Sequence, residues 1–214
     1  MTLRVAALWR YPVKTLAGEQ LDVAELTANG IPGDRIVHVR GPQGVKTSRR
    51  YHRLLGLHAT LGADGQPLVD GLPWDSAEVL ARVRQVAGED SELVAFDGLD
   101  RFDILPLLVA TDGAVNEFGR DVRRLRPNIL ISGVDGMEET SWPGAELHIG
   151  EAVIRLDSLR GRCPMTTVDP DTLDRDPEVL KDIIRRFDGK LALNAEVAVP
   201  GIVRVGDEVR LVTP

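Results

Sequence analysis

Leu147-His148-Ile149-Gly150-Glu151-Ala152-Val153-Ile154-Arg155-Leu156 reads as two short apolar strands joined at Gly150-Glu151, the clearest hairpin signal in the chain. The sequence around it keeps the same idiom. Upstream, Asn128–Ser132 is a strongly apolar strand that begins directly after Pro127, and downstream Val197–Val199 and Val209–Val212 flank the turn pair Gly206-Asp207. The first sixty residues add Leu3–Trp9, an alternating Leu21, Val23 and Leu26, Ile36–Val39, and Leu57, Ala59 and Leu61. Turn signals at Asn29-Gly30, Pro32-Gly33 and Gly41-Pro42 separate them. Asp64-Gly65 connects to Pro67–Val69 in another hairpin, and Ser91–Phe96 is a further strand. Short strands at this spacing predict curved, barrel-like β structure.

Three segments break the pattern with helical periodicity. Ser76–Ala87 is capped by Asp75 or Ser76 and carries an apolar stripe through Val79, Leu80, Val83, Val86 and Ala87. Asp112–Phe118 starts at Thr111 or Asp112 and stops at Gly119. Pro177–Phe187 has Asp176 at its N-cap, Pro177 at the first position and two arginines in its last turn, with Leu180, Ile183, Ile184 and Phe187 expected to face inward. βαβ repeats are not evident. The fold class expected is α+β and β-rich: a small N-terminal barrel-like β domain (residues 1–90) packed on a larger C-terminal β-barrel (residues 91–214) with peripheral helices.

Composition narrows the partners. The 214 residues are 43% hydrophobic and 28% charged, an ordinary globular mix. No apolar run approaches the ~18 residues of a membrane span, and the N-terminal apolar patch is too short for a secretory core, so a cytoplasmic protein without membrane contact is expected. A net charge of -7 argues against nucleic acid. A single cysteine excludes an intramolecular disulfide, a zinc knuckle and a self-contained iron–sulfur cluster.

That cysteine, Cys163, sits in Leu159-Arg160-Gly161-Arg162-Cys163-Pro164, between the hairpin and the third helix. Arg160 and Arg162 would favour its thiolate, the form that binds soft metals and attacks electrophiles; the alternative is a small buried hydrophobe. A basic set stands out against the acidic background: Lys14, Arg35, Lys46, Arg49, Arg50, Arg123, Arg124 and Arg126. Arginine forks suit phosphate, and Lys14 beside Thr15 offers a point charge with a hydroxyl, so these residues either converge on an anion or form a solvated surface paired with acids. The four histidines lack metal-cage spacing, no P-loop or GxGxxG occurs, and Glu138-Glu139 reads as a solvated pair.

Five short pieces, in order, carry a family resemblance: Tyr11-Pro12-Val13-Lys14-Thr15, Gly33-Asp34-Arg35, Arg124-Leu125-Arg126-Pro127-Asn128, Arg162-Cys163-Pro164-Met165-Thr166-Thr167-Val168-Asp169-Pro170, and Pro200-Gly201 through Val205-Gly206-Asp207-Glu208-Val209. Together they resemble the MOSC family, named for the C-terminal domain of molybdenum-cofactor sulfurase, with its N-terminal β-barrel partner. The nearest likeness is to the branch holding the amidoxime-reducing components and their bacterial relatives. Thr15 replaces the usual serine, and Leu125 the usual phenylalanine.

The resemblance implies a molybdenum cofactor, a pterin with a dithiolene and a phosphate. Cys163 would be the one protein ligand to the metal, a thiolate matched to a soft centre. Lys14, Thr15 and Arg35 would hold the phosphate, although twenty residues separate Lys14 from Arg35. Arg126, Asn128 and Arg162 would meet the cofactor, and Asp169 would stand near the metal as a polar support. The activity implied is reduction of N-hydroxylated compounds such as hydroxylamines and amidoximes, with electrons from a separate flavin or iron–sulfur protein. The alternative is a sulfur or cofactor carrier using a Cys163 persulfide. A pyridoxal-phosphate domain or Schiff-base lysine motif is not evident, so pyridoxal phosphate is not expected.

Overall fold

The computed structural model describes residues 2–96 and 98–214. Its N-terminal half carries β1 (Leu3–Arg10), β2 (Glu19–Leu21), β3 (Val23–Leu26), β4 (Val37–Gly41), β5 (Gly44–Val45), β6 (Ala59–Leu61), β7 (Pro67–Val69), β8 (Leu72–Pro73), α1 (Ala77–Ala87) and β9 (Glu92–Ala95). The rest adds β10 (Leu107–Thr111), α2 (Asp112–Phe118), β11 (Ile129–Ser132), β12 (Glu146–Ile149), β13 (Ala152–Gly161), α3 (Pro177–Phe187), β14 (Lys190–Val199), β15 (Gly201–Arg204) and β16 (Glu208–Val212).

Seven of these strands close a barrel in the order β11-β10-β14-β13-β12-β16-β1, with β1 pairing back onto β11. Closure removes the unpaired edges that an open sheet of this size would present. The pairs are antiparallel except β10 and β11, which run parallel because α2 lies between them and returns the chain to the same end. Leu8, Val109, Ile129, Ile131, Leu147, Ile149, Ile154, Leu156 and Leu193 fill the interior. The hairpin quoted above is β12 and the start of β13, in register Leu147 to Ile154 and Ile149 to Ala152.

A second core lies in the N-terminal half. Val13, Leu16, Val37, Val39, Leu54, Val69, Val79 and Val83 come together where α1 packs on two three-stranded sheets, β5-β4-β9 and β6-β7-β8. Helix α1 begins where the Ser76 hydroxyl accepts the Val79 N–H (3.3 Å), and α2 where Thr111 accepts from Ala114 (3.3 Å). No helix among the described residues is long and apolar enough to cross a membrane.

Two expectations need correction. Helix α3 turns Val179 and Ile183 inward against Phe118, Leu125 and Leu191, whereas Ile184 is 59% exposed. The next residue on a helix lies 100° round, so a stripe through 179, 183 and 187 leaves 184 outside. Glu139 is not solvated: it is 0% exposed, and it accepts hydrogen bonds from the Thr111 hydroxyl (2.8 Å) and the Ala192 N–H (2.8 Å). That amide is free because Leu191 and Ala192 on β14 stand opposite the single residue Arg160 on β13, a bulge that takes Ala192 to φ +67°.

Candidate functional site

One end of the barrel faces the second core, and the predicted residues meet in the pocket between them. The mouth of β1 leads into Tyr11-Pro12-Val13-Lys14, which runs parallel to Arg35–Val37: Tyr11 C=O accepts from Arg35 N–H (2.8 Å), and Val37 C=O from Lys14 N–H (2.8 Å). This pairing brings Lys14 and Arg35 side by side. The starts of β10 and β11 and the bulged end of β13 supply the rest of the wall. Lys14, Thr15, Arg35, Arg126, Asn128, Arg162 and Cys163 all line this pocket. Asp169 does not. Its carboxylate accepts the Asp171 and Thr172 N–H groups (both 3.0 Å) and pairs with Arg124 (2.7 Å), which does line the pocket.

The electrostatics are one-sided. Seven cations line the pocket (Lys14, Arg35, Arg49, Arg124, Arg126, Arg160 and Arg162) against one carboxylate, Asp103. In a chain of net charge -7 this concentrates positive potential at a single place. The remaining predicted cations serve elsewhere: Lys46 binds Asp90 (2.5 Å), Arg50 lies over the Tyr51 ring and Arg123 pairs with Asp121 and Asp171.

Two of the pocket arginines have no carboxylate partner among the described residues. Arg126 lies over the Tyr11 ring, 4.2 Å from its centroid, and burial lowers its pKa to about 10. Arg162 donates to the Leu125 C=O (2.7 Å) and Leu191 C=O (3.5 Å), its Nε is buried with no hydrogen-bond partner among the described residues, and burial lowers it too to about 10. Burial pushes Tyr11 up to about 12, and its hydroxyl donates to the Pro127 C=O (3.0 Å). Part-buried guanidinium groups left this way favour an anion in the space they face.

The motif residues differ in what they have free. Thr15 accepts the Ser48 N–H, and its hydroxyl lies 2.6 Å from Ser48 Oγ. Asn128 is fully engaged: its amide donates to Trp9 C=O (3.3 Å) and Asp34 Oδ2 (3.2 Å) and accepts from Leu108 N–H (3.1 Å). Asp34 is the buried hub that sequence reasoning missed. It accepts the Tyr11 N–H (2.7 Å), the Asn128 amide and the Arg35 guanidinium, so it joins three of the five motif pieces. Its place inside Gly33-Asp34-Arg35 was the available signal. Thr15, Arg35 and Arg126 hold φ of +80°, +57° and +57°, a left-handed region that is costly for residues with a Cβ and that gathers at binding sites.

Cys163 follows β13 and opens a short 3-10 turn, Pro164–Thr167, its carbonyl accepting the Thr166 N–H (3.0 Å) and hydroxyl (2.9 Å). Its backbone is thereby fixed, while its thiol faces the pocket with no hydrogen-bond partner among the described residues. No group of three His, Cys, Asp or Glu side chains that could hold a metal is found among the described residues. A metal at Cys163 would therefore take its other ligands from a bound group. An anionic group that brings its own metal ligands fits this wall.

The comparisons agree with the architecture. The family model described as the MOSC N-terminal beta barrel domain matches residues 2–103, and the model described as the MOSC domain matches residues 112–210. Mitochondrial amidoxime-reducing component 1 of Homo sapiens is 28% identical across 97% of this chain and 82% of its own length. Molybdenum cofactor sulfurase 2 of Culex quinquefasciatus is 37% identical across 33% of this chain and 9% of its own length. The crystal structure of the YuaD protein from Bacillus subtilis superposes with a TM-score of 0.57 at 17% identity, covering 100% of this chain and 97% of that one, which shows the shared fold.

Proposed function

We propose, from the premise that this chain belongs to the MOSC family, that it binds a molybdenum cofactor and reduces N-hydroxylated compounds with electrons from a separate protein. The observation that carries the reading is the pocket itself: seven cations against one carboxylate, two part-buried arginines without carboxylate partners among the described residues, and the chain's single cysteine on the same wall. The relatives named amidoxime-reducing components support the substrate class.

In this reading Cys163 gives the metal its protein thiolate. Lys14, Thr15 and Arg35 hold the phosphate, and Arg126 and Arg162 face the anionic and polar edges of the cofactor. Asn128, engaged on every side, acts by fixing the wall between β1, β10 and Asp34. Asp169 acts at one remove, keeping Arg124 aimed at the pocket. When bound, the cofactor supplies a two-electron redox centre. Overall, a hydroxylamine takes up two electrons and two protons, its N–O bond breaks, and the products are the amine and water. A donor protein must therefore deliver both electrons. The protein's share of the work is positioning and charge: fixed cations need no reorganisation as negative charge builds on the leaving oxygen.

The test uses protein from a host able to make the cofactor. Purified protein should carry molybdenum, and supplied with an electron donor it should reduce an amidoxime or hydroxylamine. Cys163→Ala should abolish turnover and leave the melting temperature within a few degrees, because a half-buried loop thiol contributes about 1 kcal/mol of packing. Full turnover in the alanine variant with molybdenum still bound would end the ligand assignment. A persulfide on Cys163 with no turnover in either protein would favour the carrier instead.

A further inference from the structure

We propose that Lys14, Arg49 and Arg160 form a phosphate seat that the Asp103 carboxylate fills in the cofactor-free protein and vacates when a phosphate group enters. The proposal rests on the cofactor reading above and adds Arg49, Arg160 and Asp103 to it.

The geometry is specific. Asp103 Oδ1 lies 2.9 Å from Lys14 Nζ, and Oδ2 lies 3.0 Å from Arg49 Nη2 and 3.1 Å from Arg160 Nη2. Three cations on two oxygens is the arrangement a phosphate group recruits, with one fork or point charge per oxygen. The cations come from separate stretches of chain: the turn after β1, the loop ahead of the 3-10 turn His52–Gly56, and the bulged end of β13. The barrel closes without any of them, so neither sheet pairing nor core packing requires that they meet.

Asp103 is suited to leave. It follows the 3-10 turn Leu99–Arg101 and sits at the rim of the pocket, half-exposed, with Leu99 and Ile104 both turned outward. Phe102 is buried, and Arg101 is tied to Asp34 C=O (3.1 Å) and Asn29 C=O (3.1 Å), so a hinge beyond Phe102 would move Asp103 without disturbing that anchor. Lys14 and Arg160 keep other partners when Asp103 goes, the Arg101 C=O (2.8 Å) and Asn194 Oδ1 (3.1 Å), so the seat stays formed. Burial pushes the Asp103 carboxyl up, but the three cations together pull it further down, below the usual carboxylate range. It is therefore a true competing anion at neutral pH. A dianion and a carboxylate on the same three cations repel each other, and the dianion wins the exchange by its second charge.

The test is titration calorimetry of cofactor-free protein with inorganic phosphate, in a low-chloride buffer. Asp103→Asn keeps the shape and removes the charge, and it should bind phosphate at least tenfold more tightly than the wild type. In that background, Arg49→Ala and Arg160→Ala should each take back most of the gain. Equal or weaker phosphate binding by Asp103→Asn would overturn the exchange, and indifference to both arginine changes would place the phosphate elsewhere. Asp103→Ser gives the same readout if the asparagine variant is unstable. None of these measurements depends on molybdenum or turnover, so failure here and failure of the reductase reading are told apart.

Discussion

Arg126→Met should make the cofactor-free protein more stable and the cofactor-loaded protein less able to hold its cofactor. Burial lowers the Arg126 pKa from 12.5 to about 10, which corresponds to roughly 3 kcal/mol of bias against the charged form. The sign follows directly: at neutral pH both folded and unfolded chains carry the proton, but the folded state binds it less tightly, so the charge destabilises folding. Against this stands the guanidinium lying 4.2 Å from the Tyr11 centroid, worth about 1–2 kcal/mol when desolvated. Methionine keeps the apolar stem and the same left-handed backbone, so stem packing and strain cancel in the comparison. The net gain is about 1–2 kcal/mol, which for a chain of this size is roughly 3–6 °C in melting temperature.

The assay is a thermal melt of cofactor-free wild type and variant in a buffer without phosphate or sulfate, paired with metal analysis of both proteins after loading and desalting. Loss of one charge-assisted hydrogen bond costs about 1.5–3 kcal/mol, so the variant should retain the cofactor about 10–100-fold more weakly. A melting temperature lowered by more than about 2 °C would show that Arg126 is a satisfied structural residue. Undiminished molybdenum content would show that the cation faces no part of the cofactor.

Two further outcomes concern buried groups outside the pocket. Burial, helped by Lys14 and Arg40, lowers His38 to about 4; between about pH 6.5 and 4 the unfolded chain binds a proton that the folded chain refuses, so stability falls as pH falls through that window. Denaturant titrations of wild type and His38→Gln across it should show a steeper fall in the wild type, the remaining slope in the variant coming from paired carboxylates such as Asp103. Glu139→Ala strands the Thr111 hydroxyl and the Ala192 N–H and should cost about 2–4 kcal/mol in chemical denaturation. Glu139→Gln can still accept the Ala192 N–H through its one oxygen and can turn its NH2 to donate to the Thr111 oxygen, so it should cost less than alanine; burial already raises the Glu139 pKa, and the ionised form loses stability as pH rises.

How much of this was legible in the sequence depended on whether the cause was local. Turn pairs and apolar alternation located the strands, and Ser76, Thr111 and Asp176 marked the helix starts because a cap is made by residues two or three apart. Four of the five motif pieces supply residues to one pocket wall; Asp169 and the fifth piece, 200–209, do not line it. What escaped was set by distant partners. Glu138 and Glu139 are indistinguishable in sequence, and only the β14 bulge decides that the second is buried. Asp103, in Asp100-Arg101-Phe102-Asp103, shows no periodicity and gains its meaning from cations at positions 14, 49 and 160.

The features that no local pattern revealed converge at one place. Among the described residues seven non-glycine positions have positive φ, and Thr15, Arg35 and Arg126, three of them, line the same pocket that collects the cations without carboxylate partners. Each strained residue costs on the order of 1–3 kcal/mol, and each part-buried charge without a carboxylate partner adds to it. A folded chain retains such a region when the rest of the structure over-determines it, and here the Asp34 hub and the closed barrel do so. The pocket is therefore held ready for an anion rather than assembled by one. Binding energy then appears as stability: an anion at a hundredfold its Kd adds about 2.7 kcal/mol, drawn from Arg126 and Arg162, which have no carboxylate partner among the described residues.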